Sequence, residues 1–487
     1  MIEGDTVRLY HRLTSYGPGR EDQQPPADHP LVMQDFVPND FEHLPPASKV
    51  YPLGLPMVEL PRDWPPVPVP TTSALAGQAA VAPAPLDLPT LARLLHLSAG
   101  FVRVNEDWHG RRLLFRAAGS AGARFPLELY LSARGVEGLA DGVHWFDPVN
   151  HALVQVGPAA AGETTTLIVT GIPWRTGWRY AERGFRHIYW DAGSMLGQTL
   201  PLAESAGLHP RLWSRFADAD LATLVGADGV HEFPVAMVAL GPGLPAVQPR
   251  GEAAKGAVDS APVEFPLVTL AQRAGDMDAL GEPWPTGALL AGEPPVSRDL
   301  DAVILQRGST RFMDRTATVT REVFEFALGA SLRGTKVPHF VAAHGIEGVD
   351  PGLYRWPDLD HPVRRGPLRE ALLWVCWDMD LARDAAFVVI AAIDIETLDD
   401  RGYREAQLDA GIVEGRLHLA AFALGLGASG MTFLDSEIEG LLGEPLAALL
   451  ITCIGLPTYR NKAGGPPGQP VSVLVPTPGE TPASEVG

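Results

Sequence analysis

Residues 183–193 read RGFRHIYWDAG, and residues 401–411 read RGYREAQLDAG. The two stretches lie 218 positions apart and share Arg, Gly, Arg, Asp, Ala and Gly in register. A second pair lies upstream in the same order. Residues 132–151 (SARGVEGLADGVHWFDPVNH) meet residues 342–361 (AAHGIEGVDPGLYRWPDLDH) at a spacing of 210, placing Gly135, Glu137, Gly138, Gly142 and His151 on Gly345, Glu347, Gly348, Gly352 and His361. One matched block arises by chance, but two in order describe a duplicated domain. With only two long copies, this is a tandem pair and not a solenoid.

Working outward, residues 1–71 are proline-rich and read as an extended arm that wraps a core. The first repeat spans 72–245, a Pro/Gly/Ala-rich linker spans 246–299, the second repeat spans 300–463, and 464–487 reads as a flexible tail. Residues 86–100 predict a helix with Pro89 in its first turn, and 191–207 and 320–332 predict further helices. Residues 127–131, 143–146 and 234–240 read as strands. The fold class is α+β, with a mainly antiparallel sheet flanked by helices in each half.

Composition limits the function. A chain of 487 residues exceeds one ordinary core, consistent with two domains. A formal net charge of −20 with no Lys/Arg run repels nucleic acid and acidic membranes, so neither is expected as a partner. Two cysteines make no disulfide framework, no Cys/His spacing reads as a metal site, and a reducing compartment follows. The start lacks an apolar signal core and the longest apolar run, 385–393, is too short to span a bilayer. The expectation is a cytoplasmic protein.

Two stretches carry chemistry. Residues 307–311 read RGSTR, and alternate positions of an extended segment share a face, so Arg307, Ser309 and Arg311 can present two guanidinium forks and a hydroxyl to one oxyanion. The plainer alternative is a solvated surface loop. Residues 425–431 read GLGASGM, either a strand that lets a ligand approach the backbone or a helix C-terminus capped by glycine.

In family order these stretches resemble the nitroreductase superfamily, and more closely its SagB-type FMN-dependent dehydrogenases, the azoline dehydrogenases of azole-containing ribosomal peptides. Arg307-Gly308-Ser309-Thr310-Arg311 is similar to the family's RxSxR phosphate motif. Ser120-Ala121-Gly122 before Phe125-Pro126 resembles its PSAGALYP motif, and Arg179-Tyr180 its Lys-Tyr segment. Gly427, Ser429, Gly430 and Met431 resemble the Gly-rich strand beneath the flavin, and Gly455-Leu456-Pro457 with Arg460 the terminal GxP…R.

The resemblance implies a duplicated nitroreductase-like fold closed as an intramolecular pseudo-dimer, with FMN held between the halves. Arg307, Ser309, Arg311 and Arg460 would hold its phosphate, Gly427, Ser429, Gly430 and Met431 would support the ring, and Ser120, Ala121 and Gly122 would come from the opposite repeat. The first repeat has AGQAA (76–80) in place of RGSTR and HPRLW (209–213) in place of GASGM, while the second has 329–332 in place of 119–122 and Thr397-Leu398 in place of Arg179-Tyr180. Complementary losses leave one complete hybrid site and one degenerate site, hence one FMN per chain.

The implied activity is oxidation of thiazoline or oxazoline rings in a modified peptide, with oxygen reoxidising the flavin and a cyclodehydratase or other biosynthetic protein as partner. Tyr180 is expected to act as base or hydrogen-bond donor. Arg179 replaces the family lysine, and a guanidinium, protonated at any working pH, can stabilise negative charge but not remove a proton. An NAD(P)H-dependent nitro or quinone reductase and a flavin-free scaffold subunit are the rival readings.

Overall fold

The computed structural model describes residues 4–18, 29–106 and 112–474. Two sheets carry the duplication. The first contains β1 (Leu127–Ala133), β2 (Gly142–Asp147), β3 (Ala152–Gly157), β4 (Thr166–Gly171), β5 (Pro210–Trp213) and β6 (Phe233–Leu240) in the order β3-β2-β1-β4-β6-β5. The second contains β7 (His339–Ala343), β8 (Gly352–Arg355), β9 (Arg364–Arg365), β10 (Phe387–Ile393), β11 (Gly427–Met431) and β12 (Ala447–Gly455) in the order β9-β8-β7-β10-β12-β11. These are the same six-strand plan, antiparallel throughout, so the duplication holds in topology as well as in sequence. β1, β4, β6 and β7 are buried along their whole length; β6 (FPVAMVAL) accordingly reads as an apolar run without alternation, whereas β1 also buries Glu128 and Ser132.

Six helices repeat in the same way: α1 (Thr71–Leu75), α2 (Leu88–Ala99) and α3 (Gly184–Ser205) match α4 (Leu300–Gln306), α5 (Arg321–Ser331) and α6 (Asp400–Ala423). α2 starts where Asp87 accepts the Thr90 N–H at 2.8 Å, and α5 where Thr320 accepts the Val323 N–H at 3.3 Å, each satisfying an otherwise unpaired amide. α3 and α6 pack backbone against backbone at the centre. A Cβ built on Gly197 would lie 2.8 Å from the Ile412 carbonyl oxygen, and one on Gly415 would lie 2.8 Å from Ser194 Cα.

The arginines of the repeated block clamp the halves together. Arg183 and Arg186 donate to Asp435 at 2.7 and 2.8 Å, and Arg401 and Arg404 donate to Asp218 at 2.7 and 3.0 Å. Each pair reaches into the other repeat. Burial favours the neutral acid, but the two guanidiniums outweigh it and hold Asp435 down at about 2.

The arm includes a helix, Asp5–Leu13, whose Tyr10 stacks edge-on against Phe185 of the first repeat and Tyr403 of the second. Further along, Lys49 is buried on Glu232 and Tyr130 at 2.5 and 2.7 Å, and Met57–Glu59 pairs with β3.

Within the linker, Pro266–Ala274 forms a helix that buries Leu267, Val268 and Ala271. Two expectations need correction. The tail is docked as far as it is described: Gly465 N–H donates to Val102 at 2.8 Å, and Val471–Ser472 pairs with Arg103 and Val104. The match of 329–332 to 119–122 fails because a hairpin, Phe101–Glu106 with Arg112–Arg116, is inserted after α2 and has no partner after α5. The counterpart of Ser120-Ala121 is Thr335-Lys336, recognised by its hydrogen bonds to Asp409 where Ser120-Ala121 bonds Asp191.

Candidate functional site

At the end of α4 the chain extends along β11. Ser309 bridges Ala428, and Thr310 N–H donates to the Ala428 carbonyl at 2.9 Å. On the other side Arg311 N–H donates to Tyr459 Oη at 2.9 Å, and Asp314 N–H donates to the Leu456 carbonyl at 2.8 Å. The three stretches of the second repeat singled out in the sequence, around Arg307, Gly427 and Arg460, therefore form one continuous surface.

The residues within it differ in what they can do. Ser309, Arg311, Gly430 and Arg460 are exposed, whereas Arg307, Ser429 and Met431 are buried. Arg307 donates to the Ala117 carbonyl and leaves its Nε without a hydrogen-bond partner, as is Thr310 Oγ1. Its burial lowers the guanidinium pKa while nearby Glu414 opposes that shift. Arg307, Ser309 and Arg311 thus do not share one exposed face. Gly427 serves packing first, because a Cβ there would lie 3.0 Å from Thr310 Cβ. Gly430 keeps an open backbone, with only the Glu414 carboxylate near, at 3.3 Å from a built Cβ.

The first repeat supplies the facing wall. A Cβ on Gly119 would lie 3.3 Å from Arg307 Nη1 and 3.6 Å from Ser194 Oγ, which fixes how closely the two repeats meet. Next in the chain, Ser120 Oγ donates to Asp191 at 2.5 Å and accepts the Phe125 N–H at 2.8 Å, while Ala121 N–H donates to Asp191 at 3.0 Å. Burial lifts the Asp191 carboxyl to about 8, despite the hydrogen bonds from Ser120 and Ala121. Gly122 takes φ 57°, and a Cβ there would lie 2.6 Å from Arg179 Cδ and 2.7 Å from Tyr180 Oη. Its missing side chain is what lets the Arg179-Tyr180 pair close over the loop.

Tyr180 ends the helix Pro173–Tyr180, half-buried, its ring edge-on to His187 at 3.9 Å. Desolvation raises the phenol's pKa, against the lowering pull of Arg179. Arg179 is exposed. The two walls meet where Gly119 and Ala117 touch Arg307, while Gly427, Ser429 and Met431 are buried in the second repeat.

Sequence reasoning missed Glu414, Ser194 and His418, which form a buried polar group with Arg307 behind Gly119 and Gly430. Burial works to raise the Glu414 carboxyl, but His418, Ser194 and Arg307 outweigh it and hold it low. The repeat gave no signal for these residues, since Leu196 and Ile412 stand at the corresponding positions of Glu414 and Ser194.

The counterpart cleft is closed by the linker. Trp284 N–H donates to the Leu212 carbonyl on β5 at 2.6 Å, and Leu290 N–H donates to Ala76 at 3.0 Å. Arg333 reaches across to the carbonyls of Leu75 and Ala288 at 2.6 and 2.7 Å. What remains is a cavity of about 30 Å³ beside Trp284, Arg333 and Arg416, room for a water and not for a ring system.

Among the described residues no group of three or more His, Cys, Asp or Glu is arranged to hold a metal ion, and no helix is long and apolar enough to cross a membrane. No family model matches the chain. Over 172 residues it is 26% identical to a Methanocaldococcus jannaschii protein, a nitroreductase by name, covering 32% of this chain and 81% of that protein. A crystal structure from Anabaena variabilis, also a nitroreductase by name, superposes with a TM-score of 0.70 at 22% identity, covering 93% of this chain and 99% of that one. The matched length embraces both repeats, the linker and most of the arm, so the chain carries a duplicated nitroreductase-like fold.

Proposed function

We propose that the chain is an FMN-dependent oxidoreductase with one flavin per chain, held at the junction of β11 with the 119–122 loop. The observation that carries this is the distribution of cations. In a chain of net charge −20, Arg311 and Arg460 stand exposed on one surface with no carboxylate in ion-pair range among the described residues, beside Ser309 and the orphaned Arg307 Nε. A phosphate held there would meet the exposed donors of Ser309, Arg311 and Arg460, whose face the buried Arg307 does not share. The counterpart cleft offers no such surface and is filled by the linker.

Bound there, FMN would supply a two-electron acceptor. The chain's own residues do the rest. Gly430 leaves its backbone open to a planar ring, and Ser120 with Ala121, fixed by Asp191, sets the opposing wall. Tyr180, protonated at neutral pH, donates a hydrogen bond or a proton more readily than it accepts one, and Arg179 offers a fixed positive charge to a developing anion.

Within that class, the reading we favour is a dehydrogenase of thiazoline or oxazoline rings in a ribosomally made peptide, with oxygen as terminal acceptor and a cyclodehydratase supplying the substrate. It rests on the SagB-like order of motifs. The likeness to a protein named as a nitroreductase favours a second reading, an NAD(P)H-dependent nitro or quinone reductase. Flavin released by heat and counted against chain concentration tests the class, with about one FMN per chain expected; no flavin after soaking rejects it. Rapid bleaching by NADPH without peptide would select the reductase.

A further inference from the structure

Glu414 and His418 are buried polar side chains to which neither the packing of the helices nor the proposed function assigns a task. They stand one turn apart on α6, with His418 Nε2 2.9 Å from Glu414 Oε1 and side-chain exposures of 2% and 14%, so both are largely out of water. His418 Nδ1 has no hydrogen-bond partner among the described residues. Such a buried pair is often less stabilising than apolar side chains of similar volume.

The duplication supplies an internal control. The residues 218 positions earlier, on α3, are Leu196 and Leu200, and Ser194, which hydrogen-bonds Glu414, has Ile412 as its own counterpart. Leu200 and Ile412 line the small cavity left in the counterpart cleft. The same fold therefore accepts apolar side chains at these places, and the acid, the imidazole and the hydroxyl are kept only beside the exposed arginines.

The carboxylate lies directly behind the opening at Gly430. The three atoms nearest to a Cβ built on that exposed glycine all belong to Glu414, with Oε1 at 3.3 Å. Burial works against the charge, but His418, Ser194 and Arg307 outweigh it and keep the carboxyl ionised. The other charged or titratable groups facing it are Arg307 and His418, with Asp191 across the junction.

We infer that Glu414, positioned by His418 and Ser194, is a fixed negative charge behind Gly430 that keeps the reduction potential of the bound flavin low. This deepens the proposed function and rests on that reading for the place of the flavin over Gly430. A carboxylate there opposes the build-up of negative charge on the ring when it is reduced, so electrons pass on to an acceptor more readily. A unit charge acting over roughly 10 Å at an effective dielectric constant of about 20 shifts such an equilibrium about tenfold.

The test is the flavin midpoint potential at neutral pH, measured by equilibration against a reference dye, for the flavin-loaded full chain and its variants. Glu414→Gln should raise the potential by about 30 mV, the two-electron equivalent of a tenfold shift. Glu414→Asp keeps the charge and should show less than half of that rise. Glu414→Leu with His418→Leu copies the residues of the first repeat, should raise the potential likewise, and reads the same charge if Glu414→Gln alone fails to fold. An unchanged or lowered potential in the charge-removing variants, or an equal rise in Glu414→Asp, overturns the inference. Loss of flavin from both charge-removing variants also overturns it, because Glu414 would then be needed for binding. Flavin content of the wild type separates the two claims: one flavin per chain with an unmoved potential removes this inference alone, whereas no flavin in the wild type removes the proposed function and the inference with it.

Discussion

Gly193 and Gly411, equivalent residues of the two repeats, touch backbone to backbone: a Cβ on Gly411 would lie 3.0 Å from Gly193 Cα and 2.8 Å from Trp190 Cα. The crossing of α3 and α6 at this point sets the spacing of the repeats and hence the width of the cleft between them. Gly411→Val should destabilise the protein by about 1–3 kcal/mol through overpacking. A denaturant midpoint equal to that of the wild type would show that the helices can separate without cost.

Asp435 holds Arg183 and Arg186 across the repeats. Its folded pKa of about 2 lies below the ordinary value, so its stabilising contribution is full above about pH 4 and is lost as pH falls toward 2. Asp435→Asn should cost about 3–5 kcal/mol at neutral pH, because it leaves two buried guanidiniums without their charge partner. The difference between variant and wild type, measured by unfolding at several pH values, should shrink below pH 4. A constant difference would assign the loss to packing alone.

Asp191 has the opposite sign. Its folded pKa of about 8 lies above the ordinary carboxyl value, so stability is greatest below about pH 4 and declines as pH rises through 8. Asp191→Asn should flatten the decline in unfolding free energy between pH 5 and 9. An unchanged slope would mean that the carboxyl is already ionised in the fold.

Tyr180 closes on the Gly122 loop, its Oη 2.7 Å from a Cβ built on Gly122. If it handles a proton, Tyr180→Phe should retain flavin and slow turnover by roughly ten- to ten-thousand-fold. Normal turnover with normal flavin content would leave it a packing residue against His187.

Arg333 bonds both Ala288 of the linker and Leu75 of the first repeat over the second cleft. Arg333→Ala together with Trp284→Ala should lower the melting temperature and speed hydrogen exchange in residues 76–80 and 210–213, while flavin remains at one per chain. A second flavin bound by this variant would show that the linker, and not the lost arginines and glycines, excludes it.

The duplication was written in the sequence because paired helices and equivalent strands keep the same small and charged residues wherever backbones cross or chains are clamped, as at Gly193, Gly411, Arg183 and Arg401. The N-caps Asp87 and Thr320 were readable for a local reason, since a cap bonds amides within three residues. The convergence of 307–311, 427–431 and 455–460 followed from motif order. Other features depended on contacts between residues far apart in the chain. Nothing local marks Glu414, Ser194 and His418 as neighbours of Arg307. The inserted hairpin shifted the apparent match of the two loops, and only the shared bonds to Asp191 and Asp409 restored it. The linker read as composition without structure because its Pro- and Gly-rich backbone has no periodicity of its own. Its conformation is set by the carbonyls of Leu212 and Ala76 and by the Arg333 guanidinium, which come together only once both repeats have folded around it.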